Sequence, residues 1–387
     1  MPKLFIFVLS LLLLGSCNPP PQSSALAQTY ASEPLIELPP KNVILMIGDG
    51  MGINQVSAAM FSTDQPLALE QFTFVGIQKP YSASSLITDS AASATALACG
   101  IKTYNGAIGV DEDSIPVKSL IEETGENGLS TGVITTSTIV HATPAAFLAH
   151  QPNRKMYEAI AIDILSSQAD LLIGGGKKYF DQRETDLRNL YKELDNKNYQ
   201  VSDYYKTKLE DLDFSGRKKL AFFTANGDPV PVSKGRDYLP YACKMAPGFL
   251  QQRSDKGFFL VVEAAQIDWG GHANDSDYII EEMLDFDRAI GELLQFAKED
   301  GRTLIIVTGD HETGGYSLNP GSQRGKLIPA FTSEYHTATL IPVFAYGPGG
   351  ELFSGIYENT DIHKKIRQVL QLSESVPIPE THRAGSN

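Results

Sequence analysis

Residues 42–52 read NVILMIGDGMG. The run Val43–Ile47 is short, apolar and rich in β-branched residues, and it stops abruptly at Gly48-Asp49-Gly50. A near-continuous apolar run of this length suits a strand buried on both faces, as in a parallel sheet. The pattern recurs at Val133–Thr136, Leu171–Ile173, Phe258–Val262, Thr303–Val307 and Ile341–Tyr346, with helical periodicity between, as at Ile279–Lys298 and Asp361–Leu370. Alternating strand and helix predicts an α/β fold, a doubly wound, mostly parallel sheet sandwiched by helices. The stretch 177–217 is dense in Lys, Asp and Glu. It reads as a solvated helical excursion without chemistry.

Ligands of open α/β sheets bind beyond the carboxyl ends of the strands, and those ends carry the unusual residues here. Val43–Ile47 leads to Asp49, Val133–Thr136 to His141 and Thr143, Phe258–Val262 to Glu263, Asp268 and His272, and Thr303–Val307 to Asp310 and His311. His336 precedes the last run by a few residues, and five of the seven histidines (141, 150, 272, 311 and 336) lie near such ends. Asp268 and His272 are four apart, so a helix puts both on one face. Adjacent Asp310 and His311 demand a turn after the strand. Imidazoles with carboxylates suit zinc, and the oxygens of Thr143 and Glu263 suit a harder cation such as magnesium.

The stretch Thr88-Asp89-Ser90-Ala91-Ala92-Ser93-Ala94 predicts a helix capped by Asp89 or Thr88, with Ser90 in its first turn. The partial positive charge at a helix start stabilises an alkoxide or a phosphate there. No Gly-x-Ser-x-Gly elbow surrounds Ser90, so a metal is its natural activator rather than a hydrolase triad.

The segments NVILMIGDGMG, TDSAASATALACGIKTYNGAIGV, HATPAAFLAHQPNRK, VEAAQIDWGGH, VTGDHE and EYHTATLIPVFAYGPG together resemble alkaline phosphatase, in order from about Lys41 to Gly350. The resemblance implies an α/β sandwich, a homodimer, and hydrolysis of phosphate monoesters through a phosphoserine, with two zinc ions and one magnesium per subunit. By that resemblance Ser90 is the nucleophile and Arg154 clamps the phosphate. Asp268, His272 and His336 hold the first zinc, Asp49, Asp310 and His311 the second, and Asp49, Thr143 and Glu263 the magnesium. Two positions depart from the enterobacterial pattern, His141 where Asp is common and Trp269 where Lys is common. His141 leaves three roles open: ligand, hydrogen-bond partner of metal-bound waters, or a shift of the third metal toward zinc. Trp269, the single tryptophan, is expected to line the pocket with Asp89. A sulfatase would show Cys or Ser followed by x-Pro-x-Arg, which Ser90-Ala91-Ala92-Ser93-Ala94 does not.

Charge fits an anionic substrate only with metals bound. Asp49, Asp89, Glu263, Asp268 and Asp310 outnumber Arg154 in the pocket, and three divalent ions reverse the sign. The whole chain carries −14, which argues against nucleic-acid binding. Of three cysteines, Cys99 and Cys243 could form one disulfide, but two buried thiols are the favoured reading. At the N-terminus, Lys3, the 11-residue apolar run Leu4–Leu14 and Gly15-Ser16 form a signal peptide over residues 1–16, too short to span a bilayer, which takes about 20 residues. Leu14-Gly15-Ser16-Cys17 resembles a bacterial lipobox. That resemblance implies a lipidated Cys17 and a protein exported and anchored on the periplasmic or outer face of a bacterial membrane. Residues 17–40 then form the lipidated start and flexible tether, 41–372 the phosphatase domain, and 373–387 a loose tail.

Overall fold

The computed structural model describes residues 38–372 except 215 and 217. The signal peptide, Cys17, the tether up to residue 37 and the tail from 373 onward lie outside the described residues. The strands of the main sheet are β1 (Asn42–Gly48), β2 (Phe74–Lys79), β3 (Ser130–Thr138), β4 (Leu171–Gly175), β5 (Tyr199–Asp203), β6 (Lys219–Phe223), β7 (Phe258–Ala264) and β8 (Thr303–Gly309), joined later in the chain by two more. Between these come the short strands β9 (Glu312–Thr313), β10 (Ser317–Leu318), β11 (Pro329–Ala330) and β12 (His336–Thr337), and after them the sheet strands β13 (Ile341–Tyr346) and β14 (Gly355–Glu358). The order is β14-β2-β13-β8-β1-β7-β3-β4-β6-β5. Only β13 runs against its neighbours, so the expected mostly parallel sheet is present.

β1 explains why the apolar run is unbroken. Successive side chains of a strand point to opposite faces. Val43, Leu45 and Ile47 pack into one buried cluster with the helices Ser90–Cys99 and Ala142–Leu148, while Ile44 and Met46 pack into the other with Tyr238–Gln251 and Ser276–Asp300. Both faces are dry, so both need apolar residues. Among the described residues no helix is long and apolar enough to cross a membrane. Cys99 and Cys243 are both free and buried, as the favoured reading had it.

The charged stretch 177–217 corrects its expectation. It holds two short helices, Lys178–Asp181 and Leu190–Asn196, but also the edge strand β5, paired in parallel with β6. Phe180, Leu190, Leu194, Tyr199 and Leu209 are buried there. A few apolar residues spaced among many charges anchor the segment to the sheet.

Strands β8, β1, β7 and β3 are neighbours in the middle of the sheet, and their carboxyl ends lead to Asp310, Asp49, Asp268 and His141. Backbone crowding fixes that edge. A Cβ on Gly309 would lie 2.3 Å from the Met51 carbonyl oxygen. We expect Gly309→Ala to lower stability by about 1–3 kcal/mol in thermal or denaturant unfolding. An unchanged transition would show that the edge relaxes freely.

Candidate active site

Three donor sets converge at this edge: Asp268, His272 and His336; Asp49, Asp310 and His311; and Asp49, His141 and Glu263, each with ligand atoms within 4.8 Å of one another. Asp49 is shared by two of them. Gly50 makes the approach feasible. It adopts φ +75, and a Cβ there would lie 2.6 Å from Asp268 Cα.

Helix Gln266–His272 presents Asp268 and His272 one turn apart, with His272 Nε2 3.4 Å from Asp268 Oδ2. His272 Nδ1 lies 2.7 Å from the Glu334 carbonyl and His336 Nδ1 2.8 Å from the Thr88 carbonyl. A carbonyl can only accept, so each ring donates from Nδ1, which leaves Nε2 as the atom either ring can offer to a cation once it gives up its proton. Those two Nε2 atoms face each other at 3.3 Å. Without a metal, a proton on His272 Nε2 supplies the positive charge between them, and a bound cation would take its place. The titration of the protein groups agrees with a proton held on His272 and not on His336. The hydrogen bond to Asp268 pushes His272 up to about 9, whereas burial pulls His336 down. Burial would raise Asp268, but His272, His311 and His336 outweigh it and hold it low.

The second set is completely buried. His311 Nε2 lies 3.4 Å from Asp49 Oδ1 and 3.2 Å from Asp310 Oδ2. Its Nδ1 is 3.2 Å from Thr313 Oγ1, and that hydroxyl donates to Asp268 Oδ1 at 2.5 Å. Thr313 therefore accepts from His311 Nδ1 and ties the first set to the second. Asp310 Oδ1 accepts from the amides of Gly50 and His311, at 3.0 and 2.8 Å. Burial first, then Asp310, Asp268 and Glu263, push Asp49 well above the usual carboxylate range; burial likewise lifts Asp310 to about 8 and holds His311 far down.

In the third set Glu263 accepts from Ser137 at 3.0 Å and from Thr135 through a short contact, and Thr143 also faces it. Burial raises Glu263 and lowers His141 to about 3. Among the described residues Asp49 Oδ2, Asp310 Oδ2, Glu263 Oε1 and His141 Nδ1 are buried without a hydrogen-bond partner. Buried polar atoms are rarely left unpaired. Four such atoms in the second and third sets, beside a first set of the same nitrogen and oxygen chemistry, fit divalent cations.

Ser90 starts the helix Ser90–Cys99, all ten residues of which are buried. Its Oγ lies 3.2 Å from His311 Nε2 and 3.4 Å from Asp49 Oδ1. Asp89 caps the helix, accepting from Ala92 N at 3.0 Å, and its other oxygen accepts from Arg154 Nη1 at 3.1 Å. One carboxylate thus fixes both the helix start and the guanidinium. Trp269 is half-buried, and its ring meets that of His141 edge-on at 6.3 Å.

Every site residue expected from the sequence gathers here. Cys17 lies outside the described residues. His150, counted with the strand-end histidines, does not join: it pairs with Glu122 and the Gly109 carbonyl. Three residues escaped the sequence reading. Thr313 is one, and Tyr335, stacked on His336, is another. The third is Glu312, buried, which accepts from Gln55 at 2.9 Å, from the Tyr316 amide at 3.0 Å, and from Thr337. Thr337 follows His336 and pairs with Glu312 between β12 and β9. Position beside a candidate ligand was the only signal for Glu312 and Tyr335.

The family model described as alkaline phosphatase matches residues 40–330. Alkaline phosphatase 3 of Bacillus subtilis is 33% identical, covering 86% of this chain and 89% of the relative. Alkaline phosphatase of Escherichia coli is 30% identical over 87% of this chain and 88% of its own. The solved alkaline phosphatase of the Antarctic bacterium TAB5 is 44% identical, with a TM-score of 0.81, covering 87% of this chain and 99% of that one. Variants of the TAB5 enzyme with Asp or Glu in place of a histidine hold magnesium in a site called M3.

Glu312→Gln puts a donor among donors and loosens the pairing of β9, which follows His311, with β12, which holds His336. Residues that support metal ligands typically account for 10–100-fold in affinity. We expect zinc affinity, measured against a competing chelator, to fall by about that range, with Glu312→Asp intermediate. Unchanged affinity in the Gln variant would remove Glu312 from this role.

Proposed function

Because this chain belongs to the alkaline phosphatase family, and is thus a metal-dependent enzyme that hydrolyses phosphate monoesters, we propose that it works through a phosphoserine on Ser90. The observation that supports this most is the placement of Ser90 Oγ, at a capped helix start, 3.2 Å from His311 Nε2 and 3.4 Å from Asp49 Oδ1. Asp268, His272 and His336 would hold one zinc, and Asp49, Asp310 and His311 a second. Asp49, Glu263, Thr143 and His141 would surround the third ion, magnesium in the family pattern. A nitrogen donor suits zinc better than magnesium, so His141 shifts that set toward zinc. When bound, such ions lower the pKa of a nearby hydroxyl and stabilise charge on attacking and leaving oxygens.

The chain's own groups do the rest. Asp89 holds Arg154 where its planar fork can take two phosphate oxygens. The free amides of the Ser90 helix start favour the negative charge of the same group. Ser90 Oγ, as alkoxide, attacks phosphorus while the bond to the alcohol oxygen breaks, and the alcohol leaves with a proton. Water then attacks the phosphoserine, the Ser90 oxygen regains a proton and inorganic phosphate departs. These groups would contact the phosphate rather than the alcohol, so monoesters of many alcohols should react.

We also propose a homodimer, export, cleavage before Cys17 and a lipid anchor on that cysteine, with residues 17–40 as tether, 41–372 as the phosphatase domain and 373–387 as tail. Family resemblance supports the dimer, and Leu14-Gly15-Ser16-Cys17 supports the anchor. Loss of a lipid mass from the mature protein in Cys17→Ser is the expected outcome.

Ser90→Ala should lower turnover of p-nitrophenyl phosphate by about three orders of magnitude or more and abolish acid-stable labelling by phosphate. Chelation should stop the wild-type enzyme, and zinc plus magnesium should restore it. Full turnover in Ser90→Ala would refute the phosphoserine.

A further inference from the structure

Tyr335 belongs to none of the three donor sets, yet its ring lies flat on a member of one, His336. Its centroid is 4.3 Å from that of His336 with 2° between the planes, and it also approaches His272 at 5.8 Å. The residue is 50% exposed, so one ring face packs on His336 and the rest meets solvent.

The alcohol of a bound ester has one way to point. In-line displacement puts the leaving oxygen opposite the attacking one across phosphorus. Ser90 is backed by Asp49, Asp310 and His311, all fully buried. The leaving oxygen therefore faces Asp268, His272 and His336, the set whose His272 side chain is 35% exposed. Tyr335 stands on that open side. The other rim aromatic, Trp269, meets His141 of the third set instead.

Resting on the assignment of Ser90 as nucleophile, we propose that Tyr335 is a platform for the leaving group and gives this enzyme a preference for phosphate monoesters of aryl and other flat aromatic alcohols. Such a group slides over the exposed ring face by offset stacking, while a small aliphatic alcohol gains nothing from it.

The test uses the zinc- and magnesium-loaded full chain and two non-hydrolysable probes, phenylphosphonate and methylphosphonate. Wild type should bind phenylphosphonate the tighter, by calorimetry. Tyr335→Ala should narrow the ratio of the two affinities about three- to tenfold, and Tyr335→Phe should keep it. Tyr335→Leu keeps bulk over His336 without a π face and should narrow the ratio too, even where the Ala variant loses metal on elemental analysis. Equal weakening of both probes, or an unchanged ratio in the Ala and Leu variants, overturns the proposal. A wild-type enzyme that forms no phosphoserine refutes the nucleophile assignment instead, so the two failures are distinct.

Discussion

Two imidazole nitrogens, His272 Nε2 and His336 Nε2, face one another across 3.3 Å with the Asp268 carboxylate beside both. That close approach, which requires a proton or a cation between the rings, is the constraint around which the rest is built. Backbone carbonyls hold both rings in the orientation that creates it, and the same arrangement continues inward through Asp49, Asp310 and Glu263, buried with orphaned oxygens. Like charges in a dry interior destabilise a fold by themselves. They persist where cations complete them, and folding then becomes linked to metal binding.

The sheet supplies the rigidity that such crowding needs. Four adjacent parallel strands end side by side, covered on both faces by packed helices. Asp49 and Asp310 each stand one residue beyond a strand, and Glu263 lies within β7, so these donors inherit the register of the strands; Asp268, His272 and His141 follow within the next turn or two. The proposed nucleophile, Ser90, comes from elsewhere, at the head of a helix made almost wholly of small residues. Ser93 Oγ donates to the Asp310 carbonyl at 2.6 Å, which moors that helix to the strand end it serves.

The central strands and most of the site were legible in the sequence, because apolar runs buried on both faces and polar residues at their ends leave a local signature. The sheet's margins were not. β2 is only half-buried and β5 lies among charges, so neither shows an unbroken apolar run. Asp268 with His272 could be read from helical spacing, and Asp310 with His311 from the turn they require. Glu312 and Thr313 could not, since their partners Thr337, Gln55 and Asp268 are brought to them by the pairing of β9 with β12 and by packing, neither of which has a local period. His150 shows the opposite error: closeness to a strand end in sequence did not carry it into the pocket, because Glu122 and Gly109 hold it elsewhere.

The central claim is that these donors cage cations beside Ser90. Anomalous X-ray diffraction at the zinc edge, from crystals of active protein, addresses it directly. The account predicts one strong peak bounded by Asp268, His272 and His336 and another bounded by Asp49, Asp310 and His311. Crystals of fully active enzyme with no peak at either position would contradict it.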